Sequence, residues 1–96
     1  MAHFLGIYRP PRMTFGDDAT PEEERVIGSH FQYLKKLLAE GKLILAGPCE
    51  DASMGLAVFE TRDEKEARDI VAADPAVVAG VFTCEIKPYR VSLLRQ

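Results

Sequence analysis

The order of periodicities along this 96-residue chain predicts an α+β domain of the order β-α-β-β-α-β, with a four-stranded antiparallel sheet and both helices on one face. Three observations predict it. Two stretches with helical apolar spacing each open on a capping signature, four short apolar runs flank them, and proline or glycine marks the junctions.

The first run, Ala2 to Arg9 (AHFLGIYR), puts Phe4 and Tyr8 on one side of a strand and Leu5 and Ile7 on the other. Arg9-Pro10-Pro11-Arg12 cannot continue a regular ladder and Gly16-Asp17-Asp18 carries turn chemistry, so residues 10–19 read as a polar surface connection. Thr20-Pro21-Glu22-Glu23 then supplies a hydroxyl at the N-cap, proline at N1 and a carboxylate at N3. The helix it opens runs to about Glu40 and ends at Gly41, a residue free to take positive φ. At 100° per residue, Val26, Ile27, Phe31, Tyr33, Leu34, Leu37 and Leu38 fall on its inward side, and His30 falls among them.

Lys42 to Cys49 and Gly55 to Thr61 form an antiparallel hairpin whose loop runs from Glu50 to Met54. Asp63-Glu64-Lys65-Glu66 repeats the capping logic, and Ala67, Ile70 and Val71 give the second helix its core stripe. Pro75 stops that helix, because the residue before a proline avoids the α region, and Asp74 is placed to cap a short turn through Ala79, closed by Gly80. Val81 to Tyr89 makes the last strand. Strands with apolar groups on both sides need cover on the far face, and a second copy supplies it, so a sheet-to-sheet homodimer is expected. The tail, residues 90–96, either packs on that partner or frays.

Length fits one domain over 1–96. A net charge of −3 from 12 basic and 15 acidic residues, with no run of either sign, gives no nucleic-acid footprint. Ala2 to Tyr8 is too short to span a membrane and lacks the basic flank of a signal peptide, so no membrane association is expected. Cys49 and Cys84 form neither a disulfide framework nor a zinc pattern, which fits a reduced, cytoplasmic setting.

An inward histidine needs a partner for its two ring nitrogens. By itself it reads first as a satisfied core residue and second as a tuned acid or base. Asp74 follows Ile70 and Val71 at helical spacing, so its carboxylate is directed to the space His30 also faces. One carboxylate oxygen can cap the turn while the other orients the imidazole and leaves the second ring nitrogen free to take a proton. Ser29 points to another face than His30 and Cys49 ends a strand, so proton abstraction is favoured over acyl transfer. No metal site is expected from one inward histidine and scattered carboxylates, and no cofactor is implied. Arg9 and Arg12, solvated loop charges on the plain reading, also stand where an anionic substrate would be neutralised. Gly47-Pro48 is either hairpin punctuation or a point of close backbone approach to a ligand. Tyr8 and Tyr33 read as the edge of the core.

The ordered set His30, Tyr33-Leu34, Gly41-Lys42-Leu43, Ala46-Gly47-Pro48-Cys49-Glu50-Asp51, Ala73-Asp74-Pro75 and Ala79-Gly80 resembles the YciI-like (YCII-related) family over roughly residues 2–90. The resemblance implies a ferredoxin-like dimeric α+β fold similar to muconolactone isomerase, with a His-Asp pair as the active site; those roles fall on His30 and Asp74. The family includes a dehydrochlorinase of a chlorinated hydroxyquinol, whose type of site has a serine shortly after the aspartate. Here Ala76, Val77 and Val78 follow Pro75, and the link from Pro10 to Ala19 is longer than the family's usual one. The expected function is cofactor-independent elimination or isomerisation of a small anionic or phenolic molecule, with His30 as base; the alternative is a non-catalytic dimeric module that binds a small ligand or serves as an accessory subunit.

Overall fold

In a computed structural model that describes residues 1–96, the strands β1 (Ala2–Arg9), β2 (Leu43–Pro48), β3 (Gly55–Thr61) and β4 (Thr83–Tyr89) form one antiparallel sheet. Its spatial order is β2-β3-β1-β4. The helices are α1 (Phe15–Asp18), α2 (Pro21–Ala39), α3 (Glu64–Ala72) and α4 (Pro75–Val78). The α+β order deduced from the sequence is therefore observed, with two long helices and two short ones.

Local chemistry fixes the ends of α2. The Thr20 hydroxyl accepts from the Glu23 amide at 3.1 Å and the Glu23 carboxylate accepts from the Thr20 amide at 2.9 Å, a reciprocal capping box behind Pro21. At the other end the amides of Gly41 and Lys42 donate back to the carbonyls of Leu38 and Leu37, with Gly41 at φ 78°. This Schellman closure satisfies carbonyls the helix itself leaves free. The Asp63 carboxylate caps α3 through the Glu66 amide at 2.9 Å.

Phe4, Tyr8, Phe59, Leu34, Leu37 and Ile70 are buried where the helices lie on the sheet. Phe4 pairs with Phe59, and Tyr8 with Gly55 on one side and Cys84 on the other. Tyr33 donates its hydroxyl to the Ile70 carbonyl at 2.7 Å and ties α2 to α3.

Several boundaries differ from the sequence-based expectation. Phe31 and Leu38 are more than half exposed, because α2 rests on the sheet along the narrower stripe of Leu34 and Leu37. β4 begins at Thr83, since the amides of Val81 and Phe82 are taken by the Ala76 carbonyl. Segment 10–19 is not merely a polar connection: it contains α1, and Phe15 is buried. On the sheet face away from the helices, Leu5 and Ile7 stay half-buried, and Leu45 and Leu56 are exposed. There His3 pairs with Glu60 at 3.0 Å while its Nδ1 accepts from the Val91 amide at 3.1 Å, holding the start of the tail.

Candidate active site

His30 and Asp74, 44 positions apart in sequence, meet under the helices. Nδ1 of His30 lies 2.9 Å from Oδ1 and 2.7 Å from Oδ2 of Asp74. Asp74 is fully buried, and the His30 side chain is 13 % exposed. As the N-cap of α4, Asp74 accepts from the Ala76 amide at 2.9 Å through Oδ1, while Oδ2 accepts the Tyr8 hydroxyl at 3.1 Å. An ionised carboxylate can only accept, so a neutral His30 carries its proton on Nδ1 and presents the Nε2 lone pair on the opposite side of the ring. Both oxygens of Asp74 are then saturated, as a buried carboxylate requires.

Tyr8 is the member that sequence reasoning assigned to the core edge. Its signal was an inward position at the end of a strand, where a buried phenol needs a partner. Burial first, and then the neighbouring Cys84 and Asp74, hold the phenol far above its ordinary range, so it remains a donor. Rings enclose the imidazole: Tyr8 stands 5.0 Å and Phe82 5.4 Å from it, both edge to face, and Phe15 packs 5.8 Å from Phe82.

The other expected site residues sit around one end of the sheet. Arg12 is engaged in segment 10–19, with its guanidinium 2.8 Å from both oxygens of Glu23 and from Asp18 Oδ1, and lying over the Phe15 ring. Arg9 is half exposed and lies 3.5 Å from Glu85. Arg9, Pro10, Arg12 and Met13 face Asp51, Ala52 and Ser53 across an open groove of about 410 Å³. Gly47 and Pro48 are exposed at the end of β2, opposite Leu56 and Gly55. Pro48 is thus separated from Tyr8 by Gly55 alone, whereas Gly47 belongs to the alternate register position. No group of three or more His, Cys, Asp or Glu side chains is assembled that could hold a metal ion.

The Arg12 guanidinium brings the Glu23 carboxyl down to about 2, with help from the Thr20 backbone. Because the folded value lies below the ordinary carboxylate range, this contribution is complete above about pH 4.5 and is lost as pH falls through about 2. In an acid titration followed by amide NMR, Phe15 and Gly16 are expected to keep native shifts at pH 3.5 and to leave together near 2; departure near 4.5 would contradict the pairing.

The YCII-related domain profile matches residues 5–90, nearly the whole chain. The chain belongs to the YCII-related family. Within it, uncharacterized protein YjpA of Bacillus subtilis (strain 168) is 38 % identical over 68 residues, which is 71 % of this chain and 79 % of YjpA. Among solved structures, the fold is similar to that of 5-chloro-2-hydroxyhydroquinone dehydrochlorinase (TftG) from Burkholderia phenoliruptrix AC1100 in complex with 2,5-dihydroxybenzoquinone. The TM-score is 0.66 at 22 % identity, covering 91 % of this chain and 93 % of that one. No helix of this YCII-related chain is long and apolar enough to cross a membrane.

Cys84 occupies a protected corner of this YCII-related domain. Burial, chiefly, pushes its thiol up to about 12, with the Asp74 carboxylate adding to the effect. At pH 8 its thiolate population is roughly 1,000-fold below that of an ordinary cysteine. Iodoacetamide followed by peptide mass spectrometry is therefore expected to leave Cys84 unmodified in the folded protein and to alkylate it after denaturation; fast labelling in the native state would refute the assignment.

Proposed function

We propose that this protein is a small-molecule enzyme in which His30, oriented by Asp74, abstracts a proton from a phenol or from a carbon next to a carbonyl. The observation that carries this is the pair of short contacts from Nδ1 to a fully buried carboxylate, which leaves Nε2 as the ring nitrogen not bound to Asp74. In the reaction Nε2 takes the proton, Asp74 stabilises the resulting imidazolium, and the bonding pair passes into an enolate or phenolate. In an elimination that pair expels a leaving group with its own electrons; in an isomerisation the imidazolium returns the proton at a second carbon. Tyr8, through its bond to Oδ2, is a positioning residue for Asp74.

The rings of Tyr8 and Phe82 around His30 favour a flat, unsaturated substrate. The similar fold of TftG, a dehydrochlorinase solved with a dihydroxybenzoquinone, supports the same class. Arg9, with a single long ion-pair contact, is the group available for an anionic end, Arg12 being held by Asp18 and by Glu23 of α2. Pro48, beside Gly55, forms a side wall, with Gly47 shaping the strand end. A second copy covers the apolar far face to give a homodimer, and the two free cysteines suit the reducing cytoplasm. No cofactor takes part in this scheme.

The test is wash-in of deuterium from D₂O into a panel of dihydroxyquinones and keto acids, read by proton NMR. Exchange at carbon next to a carbonyl is expected with the wild type and not with His30→Asn. Equal exchange by both proteins would reject His30 as the base.

A further inference from the structure

Segment 10–19 is anchored on both flanks of the site. On one flank, Arg12 Nη1 and Nη2 each meet an oxygen of Glu23 at 2.8 Å. Glu23 precedes His30 by seven residues, two turns along the same face of α2 and about 10.5 Å away along its axis. On the other flank, Gly16 lies against the β2–β3 loop so closely that a Cβ there would stand 2.7 Å from Ala52 Cβ. Only a residue without a side chain permits that approach. Between the two anchors Phe15 turns inward and is 7 % exposed, stacked edge to face on Phe82, which in turn meets His30.

We infer that residues 10–19 form a lid latched by Arg12, and that Phe15 controls which molecules reach Nε2 of His30. A strand-to-helix link is commonly two to six residues long and runs over the surface. This one is longer, buries an aromatic ring, and has its own ionic network in which Thr14 and Arg12 both bind Asp18. Its latch lies between side chains that water reaches, so breaking it opens the lid and leaves the hydrogen bonds of the sheet intact. Pro10 and Pro11 fix φ at its root.

The inference rests on His30 as the acting base, but its test needs no substrate. Diethyl pyrocarbonate acylates neutral imidazole, and the chain has two histidines. His3, on the far face, is the internal reference. Peptide mass spectrometry of the full chain gives the ratio of modification rates, His30 to His3. Phe15→Ala and Arg12→Gln are each expected to raise that ratio by about five- to tenfold. Circular dichroism confirms that each variant is folded; if Phe15→Ala is not, Arg12→Gln decides. An unchanged ratio in folded variants overturns the lid and leaves the base untouched. A raised ratio in a protein without deuterium exchange rejects the base and upholds the lid.

Discussion

Replacing Asp74 with alanine lowers the free energy of unfolding by about 3 kcal/mol and the melting temperature by about 15 °C. Asp74 is fully buried and receives the Tyr8 hydroxyl, the Ala76 amide and His30 Nδ1. Alanine strands these donors. Each unsatisfied buried donor costs about 1–3 kcal/mol, and water admitted to the vacated space offsets part of the sum. Losing the cap of α4 adds to the loss, since N-cap replacements cost about 1 kcal/mol. Asp74→Asn separates stability from chemistry: its amide oxygen still accepts, so the loss in stability is smaller, about 1–2 kcal/mol. Its NH₂ faces a donor, however, which reverses the imidazole tautomer and places the proton on Nε2. Urea denaturation of both variants, with unchanged m-values, measures the first effect, and nitrogen-15 NMR of the imidazole reads the tautomer. An Asp74→Ala protein as stable as the wild type would remove the basis for treating this hydrogen-bond cluster as a unit.

His30→Asn is expected to reduce turnover by about 10²- to 10⁴-fold while the protein stays folded. Asparagine places an amide N–H near the position of Nδ1, so Asp74 keeps a donor, and the atom removed is the outer nitrogen to which proton transfer is assigned. Because the His30 side chain is mostly covered, the smaller residue leaves space beside Phe82 and costs about 1 kcal/mol. Steady-state kinetics on whichever substrate shows deuterium exchange, with melting curves in parallel, separates the two roles. Unimpaired turnover would eliminate the proposed base, whereas a large fall in melting temperature with ligand binding intact would mark the His30–Asp74 bond as structural, as in a non-catalytic module.

Much of the fold was legible because its signals are local. Thr20-Pro21-Glu22-Glu23 states its own capping box, Gly41 its own Schellman closure, and Asp74-Pro75 its own break and cap. Phe15 carried no such signal. It stands among Arg12, Thr14, Gly16 and Asp17, and only the docking of the segment on α2 and on the loop at Ala52 turns it inward. Phe31 and Leu38 misled in the opposite sense, since angular counting marks half of a helix as apolar while contact with one sheet covers a narrower stripe. Tyr8 was visible as an inward strand residue, but its partner was not, because Asp74 lies 66 positions away.

The sequence by itself determined where the strands and long helices form, the face each buries, and the directions of His30 and Asp74, because those features depend on period and capping within a few residues. Tertiary structure alone decided that Nδ1 reaches the carboxylate, that Tyr8 shares it, and that Arg12 binds Glu23 and lies over the Phe15 ring rather than standing free for a ligand. Those outcomes depend on strand register and on how α2 and α4 seat on the sheet. Hydrogen bonds of about 3 Å tolerate little error in either, and no local pattern encodes them.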